Sequence, residues 1–225
     1  MNAAAPSPEP RRVALLLGIA QTLAWAGTYY LPALVAPAVV ADLGADPALV
    51  YGAFSLALLI SGLAAPRVGR LIEQRGGRPV LLASSGILAT GLGLLALLPG
   101  LWGWFLGWVV LGLGMALGLY EAAFATLGVL YGQAARRAIT LVTLVAGFAS
   151  TVGWPLTATL LPLVGWRGTC LAYAGINLQV VLPIYLRVPR QPTRGSSVAV
   201  SGQPTVLAKP ATKVTRVMAR RAAWP

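Results

Sequence analysis

The sequence contains no histidine, one cysteine and few charged side chains. Only 10% of its 225 residues are charged, and five of these are acidic. Without histidine the chain cannot form a Ser-His catalytic triad or a histidine-ligated metal site. Its single cysteine, Cys170, cannot form a disulfide within the chain. We therefore predict no metal site, no cofactor and no enzymatic activity.

Hydrophobic residues make up 57% of the chain, which lies outside the range of soluble domains. The net charge of +12 raises the question of nucleic-acid binding. The basic residues, however, are confined to the ends of the chain and to a few loops, and none forms a stripe along a helix. These features predict an all-α polytopic membrane protein whose surroundings are the lipid bilayer, with no nucleic-acid partner.

Long apolar runs alternate with short polar turns. About 20 apolar residues cross a bilayer as a helix. A signal peptide cleaved after Ala26 is the alternative for the first run, but the run continues well past that point to Val40. Six transmembrane helices are predicted, at residues 13–41, 48–68, 79–98, 102–131, 138–164 and 169–186.

The composition changes at both ends of the apolar region. Residues 1–12 are predicted to be a disordered cytoplasmic N-terminus and residues 13–186 a six-helix transmembrane domain. Residues 187–225 contain both lysines of the chain among Pro, Ser and Thr, and are predicted to be a basic, disordered cytoplasmic tail.

The placement of arginine predicts the orientation, because cytoplasmic loops carry an excess of basic residues. An even number of predicted spans separates the basic clusters at residues 11–12, 67–78, 136–137 and 187–225. The opposite loops contain Asp42, Asp46 and the single Arg167. We expect a multi-pass protein of the inner (plasma) membrane with both termini cytoplasmic.

A short internal similarity relates the two halves of the apolar region. Residues 78–86 and 167–175 share Arg, Leu, Ala and Gly in register. Three spans repeated once give copies of inverted topology, as in many transporters. Two inverted three-helix repeats are one explanation, and chance similarity between apolar segments is the other.

A charged stretch, residues 69–79, separates the second and third predicted spans. It contains three arginines and one glutamate within eleven residues. It resembles the loop between the second and third spans of major facilitator superfamily transporters. Gly69, Glu73, Gly76 and Arg78 match the glycines, the acid and the first closing base of the family pattern.

Three positions depart from that pattern, the first being Glu73, which is longer than the aspartate of the family. Gln74 stands where the family has a base, with Arg75 one place late, and Pro79 replaces the last base. The resemblance covers about residues 11–190 and implies the N-terminal six-helix half of a twelve-span transporter. It also implies that Glu73, Arg75 and Arg78 make contacts that latch one conformation. A purely topological loop is the alternative.

Glu121 is the only ionisable side chain deep inside a predicted span. A carboxylate at membrane depth is costly and is by default a functional candidate. A stripe of small residues shares its helical face and predicts that Glu121 faces another helix: Gly107, Gly114, Gly118, Ala125, Gly128 and Gly132. A proton-titrating or substrate-contacting role is one hypothesis. A structural carboxyl group that is hydrogen-bonded between helices, or to Tyr120 or Tyr131, is the other.

The resemblance bears on proton coupling. Many proton-coupled relatives carry an arginine early in the fourth span, where this chain has Trp108 ahead of Gly112 and Gly114. Coupling would therefore rest on Glu121 or be absent.

Polar and aromatic residues share one face of the first span. They are Gln21, Trp25, Thr28 and Tyr29, followed by Pro32. The first and fourth spans line the central cavity in the family, so the resemblance implies contact with substrate. The alternative is an interfacial aromatic belt with hydrogen bonds between helices.

The predicted function is transport of a small solute by a secondary transporter, present as a truncated or half-size chain. The expected partners are the small-molecule substrate, a coupling proton, and a second copy of the chain or a missing second half. The alternative is a non-transporting membrane protein or an inactive fragment of a disrupted transporter gene.

Overall fold

The computed structural model describes residues 9–191, and every regular element in that range is a helix. The predictions for residues 1–8 and 192–225, at the N-terminus and in the basic tail, lie outside the described residues. Helix α1 begins at Pro10. The domain boundaries themselves stay predictions.

The described helices follow one another with very short connections. A 3₁₀ turn, Gly132–Ala134, precedes α7, and a π-helical segment, Asn177–Val181, joins the last two helices. The helices are α1 (Pro10–Ala26), α2 (Leu31–Leu43), α3 (Pro47–Arg75), α4 (Gly77–Leu97), α5 (Gly100–Gly118), α6 (Tyr120–Tyr131), α7 (Ala135–Ala146), α8 (Ala149–Ile176) and α9 (Leu182–Leu186).

Local chemistry fixes the start of α3. Asp46 is the N-cap, and its carboxylate accepts a hydrogen bond of 2.7 Å from the backbone N–H of Ala48. Pro47 occupies the first helical position, where a missing N–H costs nothing. Gly44 ends α2 with a φ of 57°, a conformation that glycine adopts without strain.

Within residues 9–191, four stretches of joined helices are long and apolar enough to cross a membrane: Pro10–Leu43, Pro47–Arg75, Gly77–Leu97 and Gly100–Leu186. The all-helical membrane fold is therefore as predicted, whereas the arrangement of six helices in two repeats is not confirmed. The predicted fourth, fifth and sixth spans form one joined stretch, because single glycines stand where loops were predicted after the fourth and fifth spans. Gly132 has a φ of 51°, and Gly165, inside α8, has a φ of 68° and a ψ of 179°.

The charged stretch, residues 69–79, is not the loop that its composition predicts. Helix α3 continues through Gly69 and Glu73 to Arg75, and α4 begins at Gly77. The reversal of direction is confined to Gly76, which has a φ of 86°.

The buried core forms two clusters. The first joins α2, the start of α3, the second half of α4 and α5 to the second half of α8. The second joins the start of α1, the end of α3 and the start of α4 to α6, α7 and α9. Small residues bring α4 and α5 close together: a Cβ atom at Gly114 would lie 2.7 Å from Leu88 Cδ2.

Candidate functional site

A turn interrupts the first span between α1 and α2. The backbone N–H groups of Thr28 and Tyr30 both bond to the carbonyl of Trp25, at 3.3 and 3.1 Å. This turn places three aromatic side chains, Trp25, Tyr29 and Tyr30, at one level of the bundle. Their rings contact one another with centroids 5.1 to 6.3 Å apart.

A second break lies between α5 and α6, at Leu119, whose φ of −85° and ψ of −163° are not helical. The Gly118 carbonyl before it accepts a hydrogen bond of 2.6 Å from Gln21 Nε2 and one of 3.3 Å from the Tyr185 hydroxyl. A backbone group freed at membrane depth must be satisfied by protein, because lipid offers no partner. Gln21 and Tyr185 therefore stabilise the break.

Aromatic rings connect the two breaks. The centroids of Trp25 and Tyr120 are 4.8 Å apart, and Tyr120 stacks on Phe124 at 5.2 Å with nearly parallel planes. Tyr29 contacts Phe54 of α3 edge-on at 5.6 Å. We call these five residues the aromatic wall: Trp25, Tyr29, Phe54, Tyr120 and Phe124.

Part of the aromatic wall is open to the surface of the chain. Tyr29 is 41% exposed. The ring of Trp25 is half-buried, and its indole N–H is buried without a hydrogen-bond partner among the described residues. A buried donor without a partner is costly, so this N–H is an unsatisfied group at the aromatic wall.

Glu121 follows directly after Tyr120, in the first turn of α6. Its side chain is exposed and makes no hydrogen bond or ion pair with residues 9–191. The partial positive charge at a helix N-terminus favours a carboxylate in this position. Glu121 is therefore one position from the aromatic wall along the chain, although adjacent residues of a helix point in different directions.

The small-residue stripe predicts that Glu121 faces another helix, whereas its side chain is exposed on the surface of the described chain. The small-residue stripe packs only in its first part, where Gly118 lies against Ser84. After the break at Leu119, a Cβ atom added at Gly128 would meet no other atom within 4 Å. Because the break redirects the helix, the same stripe is buried before Leu119 and open after it.

The first-span residues divide into two groups. Trp25 and Tyr29 reach the aromatic wall, whereas Gln21 and Thr28 are fully buried. The Thr28 hydroxyl, in the turn after α1, donates to the carbonyl of Ala24 at 2.6 Å. Gln21 connects α1 to the break at Gly118. The structure thus does not bring all four predicted residues to one accessible surface.

The predicted conformational residues lie at the junction of α3 and α4. Glu73 and Arg75 are exposed, Arg78 is half-buried, and Gly69 lies on an open face of α3. Glu73 forms no ion pair among the described residues. A latching role for Glu73, Arg75 and Arg78 stays a prediction.

Sequence reasoning missed the contacts that fix this junction. Gln191 Oε1 accepts a hydrogen bond of 3.0 Å from the Gly77 N–H, and Gln191 Nε2 donates to the Thr126 carbonyl at 3.3 Å. Thr126 also packs directly against Gly77. No local pattern marks Gln191, which is 114 residues from Gly77. Tyr120, which the sequence suggests as a hydrogen-bond partner of Glu121, instead contacts the rings of Trp25 and Phe124.

An ion pair joins α2 to the turn at Gly165. Arg167 Nη1 lies 2.6 Å from Asp42 Oδ2, and the Trp166 indole N–H donates to the same oxygen at 3.3 Å. The guanidinium of Arg167 also stacks over the Trp166 ring at 4.2 Å. The side chain of Arg167 is 40% exposed and that of Asp42 is 43% exposed.

Comparison with known proteins places these features in a family. The family model described as Major Facilitator Superfamily matches residues 17–224. The match spans both helix breaks, the aromatic wall, Glu121 and the charged stretch. A search of curated proteins finds no match.

Proposed function

Because this chain belongs to the Major Facilitator Superfamily, we propose that it carries a small solute across the membrane as half of a secondary transporter. The chain is a multi-pass membrane protein with apolar helices. Members of the family are transporters rather than enzymes. The observation that carries the proposal for the site is the unpaired carboxylate of Glu121 beside the aromatic wall, where two spans are interrupted.

The proposed architecture has six crossings. One straight helix of 87 residues, the length of Gly100–Leu186, would be about 130 Å long at 1.5 Å per residue. The hydrocarbon core is only about 30 Å thick. Reversals at the glycine turns, Gly132 and Gly165, give three crossings in this stretch. With the three helical stretches before it, the total of six supports two three-helix repeats.

The proposed location is the inner membrane, with both termini in the cytoplasm. The junction of α3 and α4 carries Arg70, Arg75 and Arg78, whereas the turn at Gly165 carries Arg167, which is paired with Asp42. The unpaired positive charge therefore lies at one end of the bundle. The positive-inside rule places that end in the cytoplasm.

The proposed substrate path runs along the aromatic wall and past Glu121. Aromatic faces attract cations, and they also pack against apolar groups. The free indole N–H of Trp25 offers one oriented hydrogen bond, and Glu121 offers one negative charge. This combination suits a small solute with an apolar body and a positively charged group.

We assign proton coupling to Glu121. Trp108, which stands at the position of the coupling arginine in many relatives, is fully buried and packs edge-on against Trp104 and Phe54. It therefore belongs to the core. Glu121 is the acidic side chain within the proposed spans that stays open to solvent or substrate.

The open face of the site is proposed to be covered by a second six-helix unit. Glu121, Gly128 and Val129 are exposed on one side of α6. A second copy of this chain, or a separate second half, would enclose the substrate between two units, as alternating access requires.

An uptake assay tests transport. The full chain is reconstituted into proteoliposomes and offered matched sets of labelled organic cations, neutral solutes and anions under an imposed proton gradient. We expect saturable uptake of cations, above that of protein-free liposomes. No uptake of any class, from protein shown to be folded and correctly inserted, would support the non-transporting or inactive alternative instead.

A further inference from the structure

A cavity lies between the end of α9 and the junction of α3 and α4, and it is separate from the aromatic wall. Its volume is about 310 Å³. Three arginines line it and no acidic residue does. We call it the arginine cavity; its lining residues are Arg75, Arg78, Pro79, Leu82, Leu186, Arg190 and Gln191.

The positive charge of the arginine cavity is not balanced within the described residues. Arg75, Arg78 and Arg190 form no ion pair there. Glu73, the nearest acid in sequence, is exposed and is not part of the lining. The N-terminus of α4, at Gly77, adds partial positive charge at the same place. Unpaired positive groups around one cavity indicate an anionic ligand.

Hydrogen bonds hold the two walls of the cavity together. Gln191 bonds to Gly77 at the start of α4 and to Thr126 in α6. Arg190 is therefore fixed beside the junction that carries Arg75 and Arg78. Because the contacts lie in the protein itself, the site is formed before a ligand binds, which lowers the cost of binding.

The cavity also has an apolar side. Leu82 is half-buried, and Leu186 is 46% exposed. Arginine matches the oxygens of a phosphate group with two parallel hydrogen bonds. We propose that the arginine cavity binds a phosphate-bearing anion, through its arginines, with hydrocarbon against Leu82 and Leu186. An anionic phospholipid headgroup and a free phosphate share this chemistry.

A ligand in this position would connect the α3–α4 junction to the segment that leaves α9. The bound phosphate neutralises charges on both walls and so stabilises their contact. This role does not depend on the transport proposal, since it involves neither the aromatic wall nor Glu121.

Binding is tested with the purified full chain in an uncharged detergent. The probes are phosphatidylglycerol, phosphatidylcholine and inorganic phosphate, titrated at constant ionic strength. The test variant is Arg190→Gln, since Arg190 is exposed and lies outside any helix. Its matched control is Arg187→Gln, which removes the same charge close by but does not line the cavity.

Two double variants give a larger change in binding affinity. Arg75→Gln with Arg190→Gln removes two lining charges, and Arg70→Gln with Arg187→Gln removes two charges from the same elements outside the cavity. We expect the first pair to weaken binding about tenfold or more, because two charge-assisted contacts are lost. The control pair should change binding less than about twofold, through screened long-range charge alone.

The probes distinguish the source of the phosphate. Tight binding of phosphatidylglycerol, with weak binding of inorganic phosphate and a further loss in Leu186→Ser, assigns the site to a lipid. Equal dependence of both probes on Arg190, with no effect of Leu186→Ser, assigns it to a free phosphate. Binding that is the same in the test and control variants for every probe would overturn the proposal.

Discussion

The side-chain amide of Gln21 donates a hydrogen bond of 2.6 Å to the backbone carbonyl of Gly118. The two residues are 97 positions apart. This bond joins the first span to the interruption between α5 and α6, just before Tyr120 and Glu121. The position of the candidate site therefore depends on a buried polar contact between distant parts of the chain.

Replacing Gln21 with leucine tests this contact. The substitution removes a donor from the Gly118 carbonyl, which then keeps only the longer bond from Tyr185. We expect unfolding to become easier by about 1–3 kcal/mol, the cost of an under-satisfied buried polar group. Thermal unfolding in detergent measures the change. Gln133→Leu, at an exposed position, is the control, and an equal effect of both substitutions would contradict this role.

Gly77 is predicted to tolerate no side chain. A Cβ atom there would lie 2.5 Å from Thr126 Cβ. Gly77→Ala should destabilise the chain by about 1–3 kcal/mol through overpacking. Gly69→Ala, on an open helical face, should be neutral.

A double-mutant cycle makes the assignment specific. Thr126→Gly removes every side-chain atom that an added methyl group at Gly77 would strike, including Thr126 Cβ. Gly77→Ala should cost at most half as much stability in the Thr126→Gly background as it costs in the unchanged chain. Additive losses in thermal unfolding would show that the conflict lies elsewhere.

Gly165 is predicted to be required for the turn within α8. Its φ of 68° and ψ of 179° lie in a region that essentially only glycine occupies. Gly165→Ala should cost about 1–3 kcal/mol of stability in thermal unfolding. Gly175→Ala, in a helical position with open space around it, should be neutral or slightly stabilising, since alanine favours helix. The prediction fails if the two substitutions behave alike.

The ion pair between Asp42 and Arg167 should contribute little to stability. The two side chains are 40% and 43% exposed. An exposed ion pair contributes about 0–1 kcal/mol to the free energy of unfolding. We expect Arg167→Gln to lower the thermal unfolding temperature only slightly, with the difference from the unchanged chain shrinking in high salt. A large loss that salt does not reduce would instead indicate a buried structural role.

The helical membrane fold and the start of α3 could be predicted from the sequence because their causes are local. Apolar runs specify membrane helices, and Asp46 followed by Pro47 specifies a helix start. The prediction of a loop at the charged stretch was wrong, because a helix that projects beyond the apolar region has the same polar composition as a loop. Only the backbone at Gly76 shows where α3 ends.

The candidate site was predictable only in part. Glu121, Trp25 and Tyr29 stand out as polar or aromatic residues in apolar surroundings. The break at Leu119 has no local signal, since leucine is a good helix former, and it reverses the expected environment of Glu121. The contacts of Gln191 are also invisible in the sequence, because they depend on how distant segments pack.

The most direct test of the central claim is the response of solute uptake to an imposed pH gradient in proteoliposomes containing Glu121→Gln. Glu9→Gln, at an exposed acidic position before α1, is the matched control. If Glu121 couples transport to protons, uptake by Glu121→Gln should no longer change with the gradient, whereas the control should respond like the unchanged chain. The same gradient response in both variants would contradict the account.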